Sequence, residues 1–347
     1  MRFVPSRGRR LLVAAVATAL ALSACSTTGT EDDGAAPAAS ATGGDQFPVT
    51  VATAFGDITI PKQPTRVVTL GWSDAEVALA LGVQPVGDAN WMAFEGDGQG
   101  VWNQGKYTTP PEKVGTLELD MEKIAALKPD LILSLYSGLT EEAYGTLSQI
   151  APVVAQPKEY QDYGIPWQEL TKTAARAVGR SDQATKVIAD VDARIAKERK
   201  DNPKFEGASG LMATTYEGYF VYGSEDPRTR LLTELGFTLP ADLDKVIGDK
   251  FGASISAERT DLLDRDVLVW LVASKAKGKA ILRADPLYAK LDVAKEGREV
   301  LIDEGSPYGS ATSFISALSL PYLLDRIVPQ LAAAVDGDPK TPVKPVA

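Results

Sequence analysis

The sequence predicts an α/β protein of two lobes joined by a single long helix, and three observations carry that prediction. The first is an internal echo. Residues 121–133 and 257–269 match when Glu122 is set against Glu258. Lys123 then faces Arg259, Leu127 faces Leu263 and Asp130 faces Asp266. Each copy reads as a short helix, an acidic turn and an apolar strand, and a unit that recurs at long separation points to two similar lobes. The second observation is a long charged stretch, residues 184–200, with Val187, Ile188, Val191 and Ile195 spaced on one helical face. Roughly twenty residues of helix span about 30 Å, which makes a stiff linker. The third is strand, turn and helix signals recurring in the same order on both sides of that helix.

In chain order, residues 47–60 alternate and predict a hairpin turning at Gly56-Asp57. Residues 66–70 form the kind of apolar run a buried parallel strand gives. Gly71 to Asp74 is a turn in which Ser73 or Asp74 caps the helix 75–81, closed by Gly82. Residues 83–87 read as a second strand. Residues 88–111 read as a loop carrying Trp91, Phe94, Trp102 and Tyr107, aromatics that pack under it or line a pocket. The first echo supplies a helix and strand over 116–133. Residues 134–138 follow at that strand's carboxyl end, the edge where open α/β sheets hold ligands. A helix over 139–150 and a strand over 151–154 complete the first lobe. A helix over 167–178 ends at Gly179, Ser181-Asp182 cap the long helix, and Asn202-Pro203 stops it.

The second lobe opens with strands over 210–215 and 219–222. Asp226-Pro227 starts a helix running to Leu235. Residues 242–247 are a loop or short helix, 256–263 the second echo's helix and 267–272 its strand. A short helix over 286–291, a strand over 300–302 and a helical stretch over 314–335 follow. Pro321 and Pro329 kink that stretch or mark a start inside it. The predicted boundaries are 1–24 signal peptide, 25–46 flexible tether, 47–160 first lobe, 161–203 connecting helices, 204–335 second lobe and 336–347 disordered tail.

Composition limits the function. At 347 residues and 44% hydrophobic content, the chain can bury two cores. A formal net charge of -10 argues against a nucleic-acid partner. Histidine is absent, which removes the commonest general base and the commonest transition-metal ligand. Neither a phosphate-binding loop nor a dinucleotide fingerprint is present, so the usual enzyme classes lose their machinery. The sole cysteine, Cys25, rules out an intrachain disulfide. It follows a basic start (Arg2, Arg7, Arg9, Arg10) and an apolar run over 11–22. Such a run is short for a membrane span and right for a signal-peptide core. Leu22-Ser23-Ala24-Cys25 looks like a bacterial lipobox, which implies lipidation of Cys25 and a body tethered to the extracytoplasmic face of the cell membrane.

Gly56-Asp57-Ile58-Thr59-Ile60-Pro61, then Pro64-Thr65-Arg66-Val67-Val68, and Leu127-Lys128-Pro129-Asp130-Leu131-Ile132 resemble the substrate-binding lipoproteins of iron–siderophore ABC importers. The resemblance covers most of residues 47–335. It implies the class III periplasmic-binding-protein fold: two Rossmann-like lobes joined by a single long α-helix, with the ligand in a shallow cleft between them. It implies a monomer that captures a ferric siderophore, needs no cofactor or resident metal, and delivers its cargo to an ABC permease dimer. In that family one glutamate per lobe docks on permease arginines, and the matching positions here are Glu122 and Glu258. Each also reads as an ordinary solvated acid in a helix's first turn.

Cleft candidates, drawn from loops and strand ends, are Trp72, Trp91, Tyr136, Tyr216, Tyr219 and Tyr308, with Trp270 inside an apolar strand. Each has a core-packing alternative. Arg228 and Arg230 lie at a helix start, where cations are disfavoured unless an anion is near. They are therefore candidates to meet a chelate, solvated arginines being the simpler account. The scarcity of basic residues near the mouth tilts the ligand toward a hydroxamate or mixed siderophore. Alternatives are a haem or cobalamin carrier of the same fold, and a cell-surface interaction lipoprotein without a transport role.

Overall fold

The computed structural model describes residues 45–95, 100–116, 118–215, 218–338 and 340–345. The expected signal peptide, Cys25, most of the tether and Tyr216 lie outside the described residues.

Strands β1 (Val49–Thr53) and β2 (Gly56–Ile60) form an antiparallel hairpin. Its turn is Ala54-Phe55, two residues earlier than expected, because Gly56 already pairs with Thr53. The first lobe is a parallel sheet of β3 (Val67–Thr69), β4 (Gly87–Ala89), β5 (Glu112–Gly115), β6 (Leu131–Ser134) and β7 (Val153–Ala155), in the order β5-β4-β3-β6-β7. Helices α1 (Asp74–Ala80), α2 (Met121–Ala126) and α3 (Glu141–Leu147) connect its strands. Then come α4 (Trp167–Val178) and the 21-residue α5 (Ser181–Asp201). The second lobe's sheet has β8 (Gly210–Thr214), β9 (Tyr219–Tyr222), β10 (Gly252–Ile255), β11 (Val267–Val272) and β12 (Glu299–Asp303), ordered β10-β9-β8-β11-β12. Here β9 runs antiparallel to both neighbours, while β8, β11 and β12 are parallel. Its helices are α6 (Pro227–Glu234), α7 (Leu243–Ile247), α8 (Lys275–Ala284), α9 (Asp292–Lys295), α10 (Pro307–Phe314) and α11 (Ser319–Val335).

The echo is structural. Asp130, just before β6, accepts from the backbone N–H of Thr65 at 3.0 Å and of Arg66 at 2.7 Å, and from Thr65 Oγ1 at 2.9 Å. Asp266, just before β11, accepts from Ser209 N at 2.7 Å and Ser209 Oγ at 2.8 Å. These donors sit at the entrances to β3 and β8, the central strands. The same acid therefore staples the same strand pair in both lobes. The helices of the two copies differ. In α2, Asp120 caps by accepting from Lys123 N at 3.0 Å. In the second copy Ser256 makes no such bond, and Ala257–Leu263 is a 3₁₀ segment broken at Arg259 (φ −105°, ψ 19°). Arg259 is drawn aside by Asp242 at 2.5 Å and Asp261 at 3.0 Å.

One apolar cluster runs through both lobes. It passes from Leu131 and Leu133 of β6, through Leu170 of α4, Ile188 and Val191 of α5 and Leu323 and Ile327 of α11, to Val269 and Leu271 of β11. A shared apolar interface of this kind resists free lobe rotation. The expected cap of α5 is replaced: Ser181 donates its N–H (3.1 Å) and hydroxyl (2.8 Å) to Asp45, so the end of the expected tether is docked on the body. Strands β5 and β10 and helices α8, α9 and α10 are additions to the expected element list. Pro321 falls in the first turn of α11 and Pro329 inside it. The expected disordered tail folds back, with Gln330 Nε2 donating to Lys344 O at 2.7 Å.

Asp130 and Asp266 are desolvated by partial burial, but their N–H and hydroxyl partners outweigh this and hold both carboxyls below their ordinary pKa. A depressed pKa gives stability that is present above the unfolded-state value and is lost as pH falls through the folded one. Asp130→Ala and Asp266→Ala should each cost about 1–2 kcal/mol in urea unfolding at pH 7. The difference from the unaltered protein should shrink when unfolding is repeated near pH 3.

Candidate functional site

The site grows from the turn after β3. Asp74, fully buried, accepts from Gly71 N at 3.0 Å, Leu135 N at 2.8 Å and Tyr136 N at 3.2 Å. Ser73 makes no side-chain cap, so neither expected capping residue acts on α1 alone; Asp74 instead ties two loops together. Gly71 is required, because a Cβ there would lie 2.4 Å from Asp74 Oδ2. Trp72 N also donates to Tyr136 O at 2.8 Å. Trp72 and Tyr136 are thus fixed side by side at the carboxyl ends of adjacent parallel strands.

A cavity of about 390 Å³ opens between the lobes at this edge. Its first-lobe wall is Trp72 and Tyr136, and its second-lobe wall is Thr214, Phe220, Tyr222 and Phe251. Tyr163, from the segment before α4, joins them. Its ring meets Tyr136 edge-on at 6.0 Å and Phe251 at 6.1 Å, and Phe251 meets Phe220 at 5.8 Å. A chain of aromatic edges and faces therefore crosses from one lobe to the other. Tyr163 holds φ 60°, a left-handed conformation uncommon for a bulky residue. The polar contributors are Arg228, Glu304 and Ser313. The Arg228 guanidinium lies 4.0 Å above the Tyr222 ring. Its Nε and Nη2 donate to the two oxygens of buried Asp226 at 2.8 and 2.7 Å. Burial works against its charge, but Asp226 outweighs it and keeps Arg228 charged well above its ordinary range.

The expected residues divide accordingly. Trp72, Tyr136 and Arg228 line the cavity. Trp91 stands behind Trp72, stacked at 5.6 Å, with its indole N–H on Leu70 O at 2.8 Å. Tyr219 faces the opposite side of its sheet, against Trp270 and Tyr288, and donates to Asp285 at 2.7 Å. Alternation along β9 sends Phe220 and Tyr222 to the cleft instead. Tyr308 is core, its hydroxyl on Gln330 Oε1 at 2.9 Å, because α10 packs on α11. Trp270 is fully buried and donates to Tyr288 at 2.9 Å. Arg230 turns away from the cavity to bind Gly164 O and Glu225, bracing the loop that carries Tyr163. Glu122 and Glu258 are exposed and outside the cavity. Each follows the carboxyl end of the edge strand of its sheet, β5 and β10, at the edge that bears the cleft.

Beneath Trp72 the lobes are latched. Glu76 of α1 accepts from Trp102 Nε1 at 2.8 Å and from Ser316 Oγ, in the turn between α10 and α11. Phe314 packs on Trp72, Phe94 and Trp102 beside it. Burial pushes Glu76 up to about 7 and Asp74 up to about 6, against their hydrogen bonds. Asp88, held by Thr69 Oγ1 at 2.9 Å, is pushed to about 8 by burial and by the charges of Asp74 and Glu76.

The comparisons with known proteins agree with this geometry. The family model described as "Periplasmic binding protein" matches residues 67–304. The chain belongs to the periplasmic binding protein family. Among its relatives is the Bacillus subtilis protein named "Probable siderophore-binding lipoprotein YfiY", 29% identical over 264 residues, covering 71% of this chain and 77% of that protein. The structure of Streptococcus pneumoniae PiaA in complex with ferrichrome superposes with a TM-score of 0.73 at 30% identity, covering 83% of this chain and 99% of that one. A periplasmic solute binding protein from Mycobacterium smegmatis gives 0.71 at 32% identity, with coverage of 83% and 98%. The two-lobed fold and the solute-binding role of a periplasmic binding protein follow.

The raised carboxyls of this binding protein have a sign. The folded state holds protons that the unfolded chain releases between about pH 4 and 8, so stability falls as pH rises through that window. Glu76→Gln, which keeps the neutral form, should flatten the decline of melting temperature between pH 5 and 8. An unchanged slope would mean that Glu76 titrates as it does in solvent.

Proposed function

We propose that this chain captures a ferric siderophore in the inter-lobe cleft and delivers it to an ABC importer. The observation that carries the reading is the aromatic cavity of about 390 Å³ at the carboxyl ends of β6 and β8. That size suits a small molecule, and aromatic walls with few polar groups are what such sites use. Relatives named for siderophore binding, and a similar structure solved with ferrichrome, support the choice of cargo. Trp72, Tyr136, Tyr163, Phe220, Tyr222 and Phe251 hold the chelate's apolar rim, and Arg228 donates to its oxygens. Trp91 and Arg230 act at one remove, bracing Trp72 and the Tyr163 loop. The protein works as a monomeric carrier without catalysis.

Cys25 takes the lipid anchor, and the body stands on the extracytoplasmic side. The naming of YfiY as a lipoprotein supports this. Among the described residues, no helix is long and apolar enough to cross a membrane. Glu122 and Glu258 dock on the two halves of a permease dimer. Their matching exposed positions after the edge strands support that role, since carboxylate–arginine contacts at symmetric places fix register.

A ferric siderophore should quench the intrinsic tryptophan fluorescence at sub-micromolar concentration, while haem should leave its own absorbance band unshifted. Absence of quenching across hydroxamate, catecholate and carboxylate chelates would overturn the cargo. The double variant Glu122→Ala, Glu258→Ala should bind as the unaltered protein does and lose uptake of labelled chelate in cells. Intact uptake would remove the docking role.

A further inference from the structure

The charges of the cleft select among chelates, an inference that rests on the carrier reading above. Among the described residues lining the cavity, Arg228 is the one cation. It is already engaged: Asp226, with no exposed surface, takes Nε on one oxygen and Nη2 on the other. The Arg228 backbone N–H adds a third bond to the same carboxylate at 2.9 Å. A two-pronged arginine–carboxylate pair of this kind presents little net charge while keeping its remaining hydrogen-bond donors. Nη1 is free of Asp226, and Arg228 borders the cavity. The site therefore offers a donor without offering a positive field.

Glu304 adds a carboxylate to the wall, at the carboxyl end of β12. It is exposed. One guanidinium thus stands against two carboxylates, Asp226 and Glu304. The remaining wall is mostly aromatic and supplies no counter-charge. A trianionic chelate would shed water there without gaining partners and would meet Glu304 as a like charge. A neutral chelate loses little hydration against aromatic faces and gains a donor to its carbonyl oxygens.

We propose that Asp226 and Glu304 are charge-selecting residues, and that the cleft takes neutral or cationic ferric chelates of the trihydroxamate type while rejecting trianionic catecholate chelates. Asp226 acts by silencing the charge of Arg228, and Glu304 by repelling anions directly.

The test is a set of fluorescence titrations of the purified protein with ferrichrome (neutral), ferrioxamine B (cationic) and ferric enterobactin (trianionic). Ferrichrome and ferrioxamine B should each bind at least about a hundredfold tighter than ferric enterobactin. Glu304→Lys, on an exposed residue, should narrow that gap about tenfold, chiefly by tightening ferric enterobactin. Asp226→Asn, with folding checked by circular dichroism, should narrow it too, and the gap should shrink in high salt. Ferric enterobactin binding as tightly as ferrichrome would overturn the proposal while leaving the carrier reading intact. A gap untouched by Glu304→Lys and by salt would overturn the role of these residues. Failure of all three chelates to bind would overturn the carrier reading, and the proposal with it.

Discussion

The cleft depends on one buried carboxylate. Asp74 gathers the backbone N–H groups of Gly71, Leu135 and Tyr136, and so joins the turn after β3 to the turn after β6. Parallel strands deliver those turns to the same edge, but nothing in the sheet itself fixes their mutual position. Asp74 does, and Trp72 and Tyr136 stand on the two turns it joins. A charge-assisted bond inside a protein is among the stronger kinds, and three donors on one carboxylate offset part of the cost of burying it. Removing it would strand three buried donors, each expensive to leave unmade.

From that pair the architecture proceeds outward. Tyr163 carries the aromatic chain across to Phe251 and Phe220, and Arg230 braces the loop that holds Tyr163. Below, α4, α5 and α11 fuse the cores of the two lobes, and Glu76 latches α1 to the turn before α11. The apolar cluster that spans both lobes resists their rotation. A largely preformed cavity spends less of its affinity on ordering itself.

Much of the fold was legible because its signals are local. Gly179 after α4, in the left-handed conformation, marked the end of that helix. The unbroken apolar run of β11 marked a strand buried on both faces. Asp130 and Asp266 announced the repeat because an acid before a strand has the same work in each lobe. Other elements lacked such signals. Strand β10 contains Gly252, Ala253 and Ser254, none with a strong preference for strands. The cleft was partly legible: Trp72, Tyr136 and Arg228 sit at strand ends or helix starts. Tyr219 was misassigned to it because alternation says which residues share a face, while the cleft-facing side depends on how β9 sits in its sheet. Tyr163 carried no periodic signal, and Tyr308 was hidden because α10 itself was not foreseen.

Strand β9 also supplies the most direct measurement, since Tyr219 and Tyr222 lie on one strand and on opposite faces. Ferrichrome affinity should be measured by fluorescence titration for Tyr222→Ala and Tyr219→Phe, with urea unfolding of each as a control. The expected result is a loss of about tenfold or more for Tyr222→Ala, as for removal of an aromatic anchor from a pocket, and no change for Tyr219→Phe. Weakened binding in Tyr219→Phe with unaltered binding in Tyr222→Ala would place the ligand on the other face of the sheet and contradict the cleft described.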